Sequence, residues 1–174
     1  MAFAAKTGKA EMKILIAYRS KYGFTEECVR SLKRGIEGET ILVDLKAERN
    51  PETAPFDIVL LGGSIYGGMI QREVTAFCSR NRESLLAKPV GLFLSCLYRG
   101  EKAREQFESS FPGWLLAHAF GRYHMGGEIV LEKLGLIDRF LIRRFAGQRE
   151  DKTENRGQVV ADICRAVNQR AGAS

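Results

Sequence analysis

Nowhere in this 174-residue sequence do 18 apolar residues follow one another, so it carries no run able to cross a bilayer as a helix. The stretch from Met1 to Glu11 has neither a secretory apolar segment nor a small-residue cleavage site after one, and a cytoplasmic protein is expected. Cysteine is scarce and scattered: Cys28, Cys78, Cys96 and Cys164 form no C-x-x-C pair, and His118 and His124 are the only histidines. That excludes a disulfide framework and a zinc site, and reduced, mostly buried thiols are expected. Also missing are the G-x-x-x-x-G-K-[ST] loop of nucleoside triphosphatases and the G-x-G-x-x-G of dinucleotide binders. No magnesium-bound triphosphate is expected. Acid is in deficit, with 27 Lys and Arg against 21 Asp and Glu for a net charge of +6. The surplus favours phosphates, carboxylate-rich ligands or anionic lipid as partners, and says nothing about fold. Nucleic acid is not among the expected partners.

A hydrophobic content of 45% in a chain of this length buries one good core and is too little for two ordinary domains. Residues 1–11 are small, polar and aperiodic, and are expected to form a disordered lead to a single domain over 12–174. Met12 to Tyr18 is a short β-rich run, nearly continuously apolar, that ends in the polar Arg19-Ser20-Lys21-Tyr22-Gly23-Phe24-Thr25. From Thr25 the spacing of Cys28, Val29, Leu32 and Ile36 defines one face of a helix, which Gly38 stops. Ile41 to Val43 is a second strand, and Ile58 to Leu61 a third, which runs into the loop Gly62 to Gly68. After a helix with Val74, Phe77 and Cys78 inward, the strand Val90 to Leu94 opens into Ser95 to Gly100. A helix over 101–111, a weaker strand around 120–125, and helices over 131–146 and 157–170 complete the pattern. Five buried strands alternating with helices predict a three-layer α/β fold, a parallel sheet with helices on both faces.

In such a sheet ligands bind beyond the carboxyl ends of the strands, where the strand order reverses. Three unusual loops belong there. The first flows through Gly23 into a helix, so that backbone N–H groups and the positive helix end converge on one point suited to an anion, with Ser20 and Thr25 adding hydroxyls. A monophosphate held without metal fits this loop.

Ser20-Lys21-Tyr22-Gly23-Phe24-Thr25-Glu26 resembles the phosphate loop of the flavodoxin superfamily, whose usual form is Ser/Thr-x-Thr-Gly-x-Thr followed by Glu. Tyr22 departs from the common Thr, so one hydroxyl contact is lost or remade. The resemblance implies a flavodoxin-like fold that binds FMN. Its phosphate would lie on residues 20–25 and its ring beside Ser64, Ile65, Tyr66 and Gly67 and beside Ser95, Cys96, Leu97, Tyr98 and Gly100. Tyr66 and Tyr98 are either stacking partners of the ring or ordinary half-buried aromatics. Cys96 reads best as a bystander thiol, and the two histidines as structural or surface groups.

Gly63-Ser64-Ile65-Tyr66-Gly67, Leu92 to Leu97 and Asp138 to Ile142, beside the polar Glu150 to Glu154, further resemble the short menaquinone-dependent protoporphyrinogen oxidases of bacteria and their relatives. That implies an FMN-dependent oxidoreductase with a small-molecule substrate and a quinone acceptor, the flavin carrying the chemistry without a protein acid or base. Here the connection between the third loop and the last strand is shorter than in those enzymes. Leu131 to Ala146 sets Leu134, Ile137, Leu141, Ile142 and Phe145 against Lys133, Arg139, Arg143 and Arg144. It is either a core-packing helix with a solvated basic face or a peripheral contact to a membrane. The alternatives are an electron-transfer carrier serving a redox protein partner, against which the positive charge argues, and a nicotinamide- or quinone-dependent reductase. A phospho-receiver domain is disfavoured, because Asp57 precedes its strand and Tyr18-Arg19 stands where acids are needed.

Overall fold

A computed structural model of the chain describes residues 11–127 and 154–172. The first strand, β1 (Lys13–Arg19), leads into helix α1 (Phe24–Gly35) and strand β2 (Glu39–Asp44). Strand β3 (Ile58–Tyr66) turns back on the two-residue strand β4 (Met69–Ile70), and helices α2 (Arg72–Arg80) and α3 (Arg82–Leu86) follow. Next come β5 (Val90–Ser95), α4 (Gly100–Ser110), α5 (Gly113–His118), β6 (Gly121–Gly126) and, beyond the undescribed stretch, α6 (Glu154–Gly172).

The order β2-β1-β3-β5-β6 is parallel throughout, with β4 attached antiparallel to the end of β3. Five parallel strands between two helical layers match the expected α/β architecture. The apolar runs look continuous in sequence, yet successive side chains point to opposite faces, and both faces are covered. Leu15, Ala17, Val59, Leu61, Leu92 and Leu94 pack under α2 and α4 with Val74, Phe77 and Phe107. Ile14, Ile16, Ile58, Leu60 and Phe93 pack under α1 and α6 with Val29, Leu32, Ile163 and Val167. Each of these is essentially sealed from water, and burying one such aliphatic side chain contributes roughly 1.5–3 kcal/mol.

Helix α6 ties itself to α1 by more than apolar contact. Asn168 accepts a hydrogen bond from the Glu37 N–H at 2.9 Å and donates one to the Gly35 carbonyl at 3.2 Å, which satisfies the C-terminal end of α1. At the close approach of the two helices, a Cβ on Gly35 would sit 2.7 Å from Cys164 Sγ.

Three expectations change. The third strand does not stop at Leu61 but continues to Tyr66, so the expected loop Gly62 to Gly68 is a strand extension with a hairpin tip. Gly62 and Gly63 pair in the ladder with Tyr18, Arg19, Phe93 and Leu94, because a residue without Cβ is needed where the Phe93 carbonyl and ring cross Gly62. The helix after the hairpin is broken into α2 and α3 at Asn81, whose side-chain amide donates to the Phe77 carbonyl at 3.0 Å and to Asn50 Oδ1 at 2.7 Å. A short helix, α5, stands where no element was expected. The helix expected over 131–146, and the lead expected over 1–11 apart from Glu11, lie outside the described residues.

Candidate functional site

The strand order reverses between β1 and β3, so the carboxyl ends of these strands and of β5 open a crevice. The loop after β1 enters it first. Gly23 caps α1 with φ 93°, a left-handed conformation that favours glycine. Its N–H donates to Ser20 Oγ at 3.1 Å, so Ser20 shapes the turn. No side chain caps the helix, leaving the N–H groups of its first turn directed into the loop. Thr25, in that turn, is sealed from solvent, and its hydroxyl has no hydrogen-bond partner among the described residues. A buried hydroxyl without a partner is costly, and it belongs here to a concave, positively polarised helix start. The residues therefore fit a phosphate: uncapped N–H groups, a left-handed glycine and one orphaned hydroxyl converge.

The loop is anchored at its entry. Arg19 donates to the Ser20 carbonyl and lies 3.7 Å from Glu73 of α2, with both side chains largely shielded. Neither residue was read as a loop anchor in sequence, where Arg19 opened the polar loop and stood where a phospho-receiver needs acids. Lys21 rests its ammonium on the face of Tyr66, and Tyr22 meets the same ring edge-on at 6.2 Å between centroids. The first loop and the hairpin tip thus touch through Lys21, Tyr22 and Tyr66. Phe24, half-buried, faces Arg156 of α6 at 5.5 Å.

The hairpin is held by a residue that sequence reasoning missed. Gln71 donates from Nε2 to Ser64 Oγ at 2.6 Å and accepts from the Ser64 N–H at 3.2 Å. It clamps Ser64 and Ile65 in place after β4 has paired Ile65 with Ile70. A glutamine just after a strand carries no pattern of its own, so only its partner reveals it. Gly67 and Gly68 form the tip with φ of 57° and 81°, and a Cβ at either would meet nothing. Gln106 of α4 donates to the Gly68 carbonyl at 3.2 Å, which joins the tip to the third loop's helix.

In the third loop, Ser95 is buried with its hydroxyl unpartnered, the second orphan at the crevice. Cys96 is buried as well, its thiol directed at the Tyr98 carbonyl at 3.7 Å and pushed to a higher pKa by burial. This is a protonated packing group, in keeping with a bystander. Leu97 is half exposed, Tyr98 is half-buried with Lys102 6.0 Å from its ring, and Gly100 starts α4 with φ 58°. Of five exposed large hydrophobic residues among those described, Tyr66, Met69 and Leu97 stand on these loops. An apolar rim around a polar floor suits a flat, amphipathic ring.

The histidines divide. His118 Nε2 lies 2.8 Å from the Lys88 carbonyl and is structural, as expected. His124 packs against Phe107 with its Nδ1 buried and unpartnered, and desolvation lowers its pKa. Among the described residues no cluster of His, Cys, Asp and Glu is able to hold a metal ion, and no helix is long and apolar enough to cross a membrane.

An open parallel sheet with its order reversed at β1 and β3, and an anion-receptive turn at that point, defines a flavodoxin-like α/β protein. The chain belongs to the flavodoxin domain family, whose pattern matches residues 15–156. No curated protein matches it significantly in sequence. Among solved structures, flavodoxin 2 from Bacillus cereus is similar at 20% identity and a TM-score of 0.55, over 91% of this chain and 99% of that one. The flavodoxin, WrbA-like protein from Agrobacterium tumefaciens is 14% identical with a TM-score of 0.53, over 91% and 98%. Rubredoxin oxygen:oxidoreductase from Desulfovibrio gigas matches at 18% identity and a TM-score of 0.50, over 89% of this chain. This chain spans only 36% of that protein's length. These likenesses establish the fold.

Proposed function

We propose that the crevice binds one FMN and that the chain is an FMN-dependent oxidoreductase acting on a small-molecule substrate. The observation that carries the proposal is the buried, unpartnered hydroxyl of Thr25 at the uncapped start of α1. In this reading Ser20, Lys21, Tyr22, Gly23, Phe24 and Thr25 hold the phosphate. Ser64, Ile65, Tyr66 and Gly67 then face the ring from one side, and Ser95, Cys96, Leu97, Tyr98 and Gly100 from the other. When bound, the flavin supplies acceptance and release of electrons with protons. The protein's own residues supply position. Gln71 fixes Ser64, Gln106 fixes the tip at Gly68, and the Arg19–Glu73 pair fixes the phosphate loop.

The substrate in this proposal is a reduced tetrapyrrole or a similar anionic, hydrogen-rich molecule, with a quinone as acceptor. It rests on the resemblance of Gly63 to Gly67 and Leu92 to Leu97 to the bacterial protoporphyrinogen oxidases, and on the net charge of +6, which suits a propionate-bearing ligand. A cytoplasmic protein touching the inner face of the membrane through the basic segment 131–146 would meet the quinone there. The fold serves an electron-transfer carrier equally well. Lys21 and Arg99 on the crevice loops, with Lys102 in the first turn of α4, favour the enzyme, because a positive rim attracts small anions and repels the basic partners on which acidic carriers dock.

The test is an absorption spectrum with and without added FMN, then anaerobic mixing with protoporphyrinogen, with NADPH, and with a flavodoxin reductase in parallel. Bleaching of the bound flavin by protoporphyrinogen, reversed by a quinone, is the expected result. Bleaching by the reductase alone would make the chain a carrier, and bleaching by NADPH alone a nicotinamide-dependent reductase.

A further inference from the structure

Helix α2 turns Val74, Phe77 and Cys78 into the core. Its outer face carries Arg72, Ala76 and Arg80, spaced i, i+4 and i+8 on one stripe. At 1.5 Å of rise per residue, the two arginines stand about 12 Å apart along the axis. The small Ala76 lies between them as a floor. Opposite, the segment after β2 brings Arg49 to the same place, and together they line a groove of about 440 Å³.

The charge of this groove is not compensated. Glu73 is its one acidic residue, and that carboxylate already faces Arg19 at 3.7 Å. Among the described residues, no hydrogen bond or ion pair occupies the guanidinium group of Arg49, Arg72 or Arg80, whereas Arg30, Arg104 and Arg165 on other helices each bind a carboxylate on their own helix. Three guanidinium groups around one concavity repel one another, and a bound anion relieves that repulsion. An adjoining groove along α3 shows the contrast. There Glu52 and Glu83 balance Arg80 and Arg82, and Arg82 lies over the Trp114 ring at 5.6 Å. The basic character is confined to the stretch from Arg72 to Arg80.

From these observations we infer that the groove between α2 and the Arg49 segment is a second binding site, distinct from the crevice, for a small organic anion with two or more carboxylate or phosphate groups. Arg72 and Arg80 hold its two ends in bidentate fashion, and Arg49 closes over the middle. A small ligand rather than an acidic protein surface is indicated because the arginines converge on a concavity instead of spreading over a convex face. The groove begins at Arg72, the residue after Gln71, and shares Glu73 with the anchor of the phosphate loop. Its occupant therefore lies at the border of the crevice. Occupancy does not depend on flavin.

The experiment is calorimetric titration of the protein, saturated with FMN to fill the phosphate loop, with tripolyphosphate and with 1,2,3,4-butanetetracarboxylate. The same titrations use R72Q/R80Q, R49Q, T25V without FMN, and R30Q as a control that removes one positive charge elsewhere. The inference requires one equivalent bound below millimolar concentration, a tenfold or greater loss in R72Q/R80Q, and a severalfold loss in R49Q. R30Q and T25V should bind as the parent does. No binding of either probe, or equal weakening in R30Q, would overturn it. Loss in T25V alone would also overturn it, by showing that the anion sits in the phosphate loop. Thermal melts of each variant show that the fold is kept. Should the protein fail to take up FMN, the proposed function falls, while the T25V titration still decides this site.

Discussion

Gln71 and Ser64 hold each other through two hydrogen bonds, Nε2 to Oγ at 2.6 Å and Ser64 N–H to Oε1 at 3.2 Å, across the base of the β3–β4 hairpin. The pair aims the hairpin tip at the crevice. Gln71→Leu removes both bonds and leaves the Ser64 N–H without this partner, a loss of about 1–3 kcal/mol. A fall in melting temperature together with a severalfold weaker FMN affinity is expected, and Gln71→Glu, which keeps an acceptor for both Ser64 groups, should recover most of it. Fluorescence titration of FMN and thermal melts check both.

Thr25→Val separates stability from binding. The Thr25 hydroxyl has no partner among the described residues, so its removal leaves the ligand-free protein as stable as before or more stable by about 1 kcal/mol. FMN affinity should move the other way and fall roughly tenfold or more, because a hydrogen bond to a charged phosphate contributes about 1.5–3 kcal/mol. Equal affinity for parent and variant would refute a role for Thr25 in holding the phosphate.

Gly62 and Gly67 make a contrasting pair. A Cβ at Gly62 would overlap the Phe93 carbonyl oxygen and ring, so Gly62→Ala should destabilise by about 1–3 kcal/mol through overpacking. Gly67 has open space but φ 57°, so Gly67→Ala should cost only about 1–2 kcal/mol from the left-handed backbone. Urea denaturation of the two variants ranks them.

His124 gives the folded protein a pH dependence. Its pKa is lowered from 6.5 by desolvation, so the unfolded chain takes up a proton before the folded one does. Stability from this group is complete above pH 6.5 and is lost as pH falls from there towards the lowered folded value. Melting curves between pH 5 and 8 should show that decline, and His124→Phe should flatten it.

All four cysteines are buried. Burial raises the Cys28 pKa to about 11 and that of Cys78 to about 12. Because the thiolate is the nucleophile, none should react quickly with a disulfide reagent at neutral pH. Denaturant should release all four, a count read directly by absorbance.

The five parallel strands, the two-sided core and the glycine turn at Ser20 to Thr25 were legible in the amino-acid order. Each depends on local pattern: continuous apolar runs for buried strands, a 3.6-residue spacing for α1, a glycine before a helix for the turn. What sequence could not provide was the extension of β3 to Tyr66, since Gly62 and Gly63 look like a loop until Phe93 lies across them. The Asn81 break between α2 and α3 was hidden for a similar reason, because its partner Asn50 comes from a segment 31 residues away.

The sequence alone determined the class of fold, its place among flavodoxin-like proteins and the position of the glycine turn before α1, because those follow from periodicity and residue type within a few neighbours. Tertiary structure alone decided which polar groups are clamped and which are orphaned. Gln71 meets Ser64, Arg19 meets Glu73, Thr25 and Ser95 are left without partners, and Arg49 faces Arg72 and Arg80 across a groove. These relations depend on how the β3–β4 hairpin folds back, on distance between segments apart in the chain, or on burial, and the packing of α2 on the sheet fixes several of them.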